Sequence, residues 1–175
     1  MRLYELRGVQ LPSVMSHAKE LAFSRDTVSQ VYKTDKVGSW QLKRGKPTRE
    51  LKLEMEIPNI PKELTRFVCG KKLRSTICQT LEADTDDYIE ITSRVRFHIL
   101  GNEFLKVKPK LMIKRNVDTT EFQARVECHA VFPPPLNAIA EAFMVKKAEQ
   151  DILGYVDVIK KKQLIALENK EIDTK

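Results

Sequence analysis

From residue 88 to residue 99 the chain alternates without a break: Ile89, Ile91, Ser93, Val95, Phe97 and Ile99 hold the odd positions, and Tyr88, Glu90, Thr92, Arg94, Arg96 and His98 the even ones. A period of two over that length predicts a long strand with one buried and one wet face. The same arithmetic sets Leu51, Leu53, Met55 and Ile57 against Glu50, Lys52, Glu54 and Glu56. It sets Leu105, Val107, Pro109, Leu111 and Ile113 against a row of lysines, and Phe122, Ala124, Val126, Cys128, Ala130 and Phe132 against Glu121, Gln123, Arg125, Glu127 and His129. Further strands are expected over residues 2–9 and 73–82, the latter with Leu73, Ser75, Ile77, Gln79 and Leu81 inward. Turn-forming separators such as Asp84-Thr85-Asp86-Asp87 and Gly101-Asn102 join consecutive strands, which implies an antiparallel meander. Pro109 inside a strand points to an edge or a bulge.

Helical spacing is confined to the two ends of this meander. Ser13 is a candidate N-cap for residues 14–23, where Val14, Ala18, Leu21 and Ala22 share a face, and a second short helix is expected over 24–32. After Pro133-Pro134-Pro135 comes the longest pattern, residues 136–168, with a stripe through Ile139, Phe143, Val145, Ala148, Ile152, Tyr155, Val156 and Ile159. Gly154 falls inside it, as a kink or a place of close approach. A lone helix of this length needs a large apolar surface, and the inward face of the sheet is the one on offer. The expected fold is therefore α+β: a curved antiparallel sheet of about six to seven strands gripping a long C-terminal helix, with short helices after the first strand. One domain is expected over residues 1–168, followed by a polar tail, 169–175. Such a grip leaves a concave apolar site between helix and sheet.

Composition narrows the context. The 175 residues carry 31 Lys plus Arg against 24 Asp plus Glu, a net charge of +7. No run approaches the roughly 18–20 apolar residues of a membrane-spanning helix, and the first seven residues carry charges where a signal peptide has its apolar stretch. Three cysteines, Cys69, Cys78 and Cys128, make a disulfide framework improbable and point to a reducing, cytoplasmic setting. The charge is localised. Residues 43–74 hold ten Lys or Arg against four Glu, residues 82–103 two Arg against six acids, and residues 106–115 five basic residues and no acid.

Chemistry on the inward face is sparse. On the four clearest strands the inward positions hold no Asp, Glu, His or Lys, and Cys128 is the one titratable group, so general acid–base catalysis is disfavoured and no catalytic residues are assigned. The uncharged polar positions Ser75, Gln79, Ser93 and Cys128 suit a mostly apolar ligand with one hydroxyl or headgroup. Cys128 and His129 are adjacent and point to opposite faces, and no CxxC or HxxxH spacing exists, so neither a metal site nor a cofactor is expected. An enzymatic reading needs a one-residue register slip, which would bring Glu90, Arg94, Arg96 or His98 inside.

Two stretches carry a family resemblance. Gly38-Ser39-Trp40-Gln41-Leu42, then the strand from Arg49, then Leu73-Arg74-Ser75-Thr76-Ile77-Cys78-Gln79-Thr80-Leu81, is similar to the core of the VASt sterol-carrier domains of the START-like helix-grip superfamily. Residues 57–72, Ile-Pro-Asn-Ile-Pro-Lys-Glu-Leu-Thr-Arg-Phe-Val-Cys-Gly-Lys-Lys, resemble the lid loop of the PRELI-like phospholipid carriers of that superfamily. The resemblance implies a lipid-binding or lipid-transfer domain that holds one sterol or phospholipid, with lid and cavity near Pro58 to Lys72. On that reading the cavity lining comprises Trp40, Leu53, Met55, Phe67, Ser75, Ile77, Gln79, Ile91, Ser93, Val95, Phe97, Val107, Leu111, Val126, Cys128, Met144, Ala148 and Ile152. Membrane contact would fall to Lys62, Leu64, Arg66, Phe67, Lys71 and Lys72, against an anionic bilayer to which a monomer docks peripherally. The alternative is a basic protein- or nucleic-acid-interaction module using Lys106, Lys108, Lys110 and Lys114. Nucleic acid is the weaker candidate, because Phe104 is the lone aromatic near that row.

Overall fold

The computed structural model describes residues 1–11, 15–56, 59–68, 72–98, 105–117 and 119–173, with the side chains of 7, 8, 15–17, 21 and 166–173 left out. Among the described residues, seven strands form one curved antiparallel sheet. They are β1 (Arg2–Leu11), β2 (Gln41–Lys43), β3 (Lys46–Glu56), β4 (Lys72–Asp84), β5 (Tyr88–Phe97), β6 (Leu105–Arg115) and β7 (Thr120–Ala130), in the order β1-β7-β6-β5-β4-β3-β2. The first strand closes onto the last, and every other neighbour in the sheet is also a neighbour in sequence. Helices α1 (Met15–Phe23) and α2 (Arg25–Tyr32) follow β1, a single turn α3 (Lys62–Thr65) lies between β3 and β4, and α4 (Leu136–Asp173) ends the chain.

The alternating strands bury the parity the sequence assigns. Ile89, Ile91, Leu111, Ile113, Phe122, Val126 and Cys128 are all at most 2% exposed, and the register keeps Glu90 outward and Arg94, Arg96 and His98 exposed. Helix α4 lies chiefly against β7 and α2 and packs also on β1 and α1. Its buried residues include Ala140, Met144, Ile152, Tyr155, Val156 and Ile159. Glu141 is also buried there and accepts the Ala130 N–H at 3.0 Å, tying the helix to the end of β7.

Three expectations are corrected, and one hairpin is added. Pro109 sits in a central strand, and the β5–β6 register is the same on both sides of it, so it marks neither an edge nor a bulge. Residues 41–48 form a hairpin that alternation did not reveal, closed by Arg44 and Gly45 at φ 52° and 76°, the left-handed pair of a two-residue turn. Helix α4 runs past residue 168 to Asp173. A Cβ on Gly154 would stand 3.8 Å from Val31 Cγ1, ordinary contact, so no close approach demands that glycine.

Candidate functional site

Strand register turns the inward positions of β3, β4 and β5 into cross-strand rows. Arg49, Gln79 and Ser93 form the first; Leu51, Ile77 and Val95 the second; Leu53, Ser75 and Phe97 the third; Met55 and Leu73 the fourth. Six residues of strand separate the first row from the fourth, about 20 Å at 3.3–3.4 Å per residue. Helix α4 matches that span, since Met144 and Tyr155 are 11 residues apart, about 17 Å along its axis. The interior thus has two ends of different chemistry.

At the fourth-row end a pocket is walled entirely by apolar side chains: Ile60, Leu64, Phe67 and Val68 from the α3 segment, Leu73, Phe97, Leu105 and Phe132 from the sheet side, and Phe143 and Met144 from α4. Phe67 and Phe132 meet there with ring centroids 5.0 Å apart. The cavity is small, about 30 Å³, because the side chains of the α3 segment fill most of the space between sheet and helix. Among the described residues, the backbone bonds Leu64 N–H to Pro61 O, Phe67 N–H to Leu64 O and Val68 N–H to Thr65 O run within the α3 segment. Leu53, Met55 and Val95, in the second to fourth rows, and Val145 and Ala148 on α4 are only half-buried and pack against the core.

At the first-row end lies a polar cluster that strand alternation did not reveal. Arg49 is 3% exposed. Its Nε donates to Gln79 Oε1 at 2.7 Å and its Nη1 to the Phe23 carbonyl at 2.9 Å, where α1 ends. Its third nitrogen, Nη2, has no partner among the described residues, nor have Gln79 Nε2, Ser93 Oγ and Tyr155 Oη. Gln79 and Tyr32 stand close enough to Tyr155 to act on its hydroxyl without closing a hydrogen bond of normal geometry. Tyr32 packs edge-on against Tyr155, with centroids 5.8 Å apart. Burial lowers the Arg49 pKa, with Tyr155 and Tyr32 working against that shift, and no carboxylate pairs with it among the described residues. Burial pushes Tyr155 up to about 12 and Tyr32 well above its ordinary value. Arg49 shares parity with Leu51, so extending the alternation by one step would have found it. Tyr32, Tyr155 and the largely buried Asp151, which pairs with Lys147, come from helices, where strand parity has no reach. The inward face is thus not free of charge.

The expected lining residues divide accordingly. Phe67, Phe97 and Met144 wall the apolar pocket, and Gln79 and Ser93 belong to the polar cluster. Ile77, Ile91, Val107, Leu111, Val126, Cys128 and Ile152 are packed in the core, and Ser75 is buried in the third row. Leu53, Met55, Val95 and Ala148 lie along the half-covered stretch. Trp40 is not inward: it is 36% exposed and covers Arg49 from outside, its ring 4.4 Å from the guanidinium carbon. Of the residues expected at a membrane, Lys62 and Arg66 are exposed, Leu64 is buried against the pocket, and Lys72 is engaged by Glu56 and Glu54 at 3.0 and 3.5 Å. Lys71 lies outside the described residues. No group of three metal-ligating side chains gathers among the described residues, and no described helix is long and apolar enough to cross a membrane.

The outward face carries its own depression, a groove of about 1200 Å³ lined by Arg44, Arg94, Arg96, Lys108 and Lys114 among others. The acids beside it are largely engaged: Glu50 by Lys43, Glu82 by Lys46 and Glu127 by Arg125.

Solved structures with this arrangement exist. An aromatase/cyclase from Streptomyces sp. R1128 superposes with a TM-score of 0.60 at 10% identity over 92% of each chain. Ara h 8.0201 matches with 0.53 at 11% identity over 91% of this chain and 98% of its own. A protein from Thermus thermophilus matches with 0.53 at 9% identity over 92% of this chain and 99% of its own. The fold is the helix-grip. At these identities the likeness extends to the fold alone. No protein-family model and no curated protein matches the chain in sequence.

Proposed function

We propose that this helix-grip domain binds one mostly apolar, amphipathic ligand between sheet and α4 and carries it without transforming it. The observation that carries this reading is the wholly apolar pocket roofed by the α3 segment, continued by the half-covered Leu53, Met55, Val95, Val145 and Ala148. Closed, the segment satisfies these surfaces with its own Leu64 and Phe67. Lifted, it would exchange those contacts for similar ones with a ligand, at little cost because its backbone bonds among the described residues are local. No pocket wall carries an acid or base, which favours holding over chemistry. A sterol or a phospholipid, as the VASt-like and PRELI-like stretches imply, fits these terms. The exposed Lys62 and Arg66 flank the lid where it would meet an anionic bilayer peripherally. Extraction of a fluorescent sterol and of labelled phosphatidic acid from liposomes, with native mass spectrometry of the purified protein, tests this. Transfer of at least one, or a copurifying lipid, is expected; neither would end the reading.

A second reading rests on the outward groove. Arg94, Arg96, Lys108 and Lys114 have no carboxylate partner among the described residues, which suits an anionic macromolecule. RNA binding that weakens steeply with salt and is lost when these four are neutralised would favour it over the carrier.

A further inference from the structure

A guanidinium that is 3% exposed and has no carboxylate partner among the described residues is unusual. Taking such a charge out of water costs several kcal/mol even after relaxation, and arginine does not escape by losing its proton. The neighbouring orphan atoms show what is missing. Arg49 Nη2 and Gln79 Nε2 can only donate, the amide being oriented by the bond that Gln79 Oε1 accepts from Arg49 Nε. Ser93 Oγ and Tyr155 Oη can donate as readily as accept. Gln79 and Tyr32 already act on the Tyr155 hydroxyl, and the Asp151 carboxylate that reaches both tyrosines is paired with Lys147, so the donors left over at Arg49 and Ser93 call for an acceptor with several lone pairs and a negative charge. A water accepts two hydrogen bonds and brings two donors of its own. A carboxylate offers two oxygens with about four lone-pair sites and no donor.

We propose that Arg49, with Gln79, Ser93 and Tyr155, forms a subsite for one oxyanion, the carboxylate or phosphate head of an amphipathic ligand whose apolar tail runs toward the pocket under residues 60–68. This rests on the carrier reading and names the ligand's class: anionic lipid, not neutral sterol. The rows set the geometry, with the polar row at one end and Leu73 and Phe97 at the other. Between them lies the stretch of half-covered Leu53, Met55, Val95 and Ala148 that a chain would fill. Trp40 closes the outer side of the subsite, so the head is shut in beneath the ring.

The test compares cis-parinaric acid with its methyl ester by fluorescence titration at pH 8, in wild type and in Arg49→Met, with acetate and inorganic phosphate added separately in thermal unfolding. Wild type is expected to bind the acid about tenfold or more tighter than the ester, the least that charge-assisted bonds to one anion contribute. Arg49→Met is expected to bind both alike. If wild type binds acid and ester equally, or if Arg49→Met keeps the preference, the subsite is overturned while the carrier stands. If neither probe binds, no lipid copurifies and neither sterol nor phosphatidic acid is extracted from liposomes, the carrier falls and the subsite with it. If acetate or phosphate alone stabilises wild type but not Arg49→Met, and the long-chain acid binds no better, the oxyanion site holds but its assignment to a lipid head is overturned. Should Arg49→Met not fold, the wild-type ratio of acid to ester decides.

Discussion

Three buried hydroxyl and thiol groups give the interior a pH signature. Burial, against the opposing charge of Arg49, pushes Tyr155 from 10.0 to about 12. Burial and the Glu141 charge push Cys128 from 9.0 to about 11, and burial holds Tyr32 well above 10.0. In each case the fold keeps a proton that the unfolded chain has already lost, so stability is fully present below pH 9 and falls as pH rises from 9 toward 12. Tyr155 alone accounts for about 3 kcal/mol by the upper end. Urea midpoints should be flat from pH 6 to 8.5 and then decline; a midpoint unchanged at pH 11 would mean that these groups reach water. Gly154 gives a prediction of opposite sign. An added Cβ meets only ordinary contact with Val31, so Gly154→Ala should raise the thermal midpoint, by about 0.5–1 kcal/mol of added stability. Both features were half legible in the sequence. Tyr155 stands on the predicted helical stripe, but nothing in a linear pattern says that Tyr32, from α2, meets it.

The elements that alternation predicts were found because the sheet is wet on one face, and a half-buried strand writes its parity into the sequence. Elements without such asymmetry left no trace. Strand β2 has three exposed residues, and α3 is one turn of four, too short for a helical period. Arg49 was hidden differently: the strand from Arg49 was recognised, but its inward row was counted from Leu51, and a charged residue at the end of an apolar row reads as outward. In the segment that resembles a lid loop, the short helix places Leu64 inward. That placement gives Leu64 a holding role instead of contact with a bilayer while the lid is closed. Leu64→Ala removes roughly 1–3 kcal/mol of apolar contact from lid closure. Transfer of a bound fluorescent lipid to acceptor vesicles should therefore speed up about tenfold in stopped flow, with the urea midpoint changed much less than by Phe122→Ala. That second substitution empties a fully buried core position and should cost about 3–5 kcal/mol. Equal transfer rates for wild type and Leu64→Ala would show that the segment does not gate exchange.

At the scale of the whole molecule the net charge resolves into two basic zones on different surfaces. Lys62 and Arg66 stand on the lid at the apolar end of the grip, whereas Arg94, Arg96, Lys108 and Lys114 line the groove on the opposite face of the sheet. A carrier must bring its lid to the bilayer, because the lid is where apolar surface appears when the cavity opens. The groove faces away from that event. Each basic side chain close to an anionic surface contributes about 1 kcal/mol, so neutralising Lys62 and Arg66 to Gln should weaken cosedimentation with phosphatidylserine-containing vesicles by about 30-fold. Lys72 should matter less than its position implies, since Glu56 and Glu54 already raise its pKa by holding its ammonium. The fourfold variant in the groove removes twice as many charges, yet it should change vesicle binding by less than the lid pair, because those charges are held off the membrane by the thickness of the sheet. The reverse order, with the groove variant losing more, would mean that the sheet face meets the anion and would turn the argument toward the interaction module.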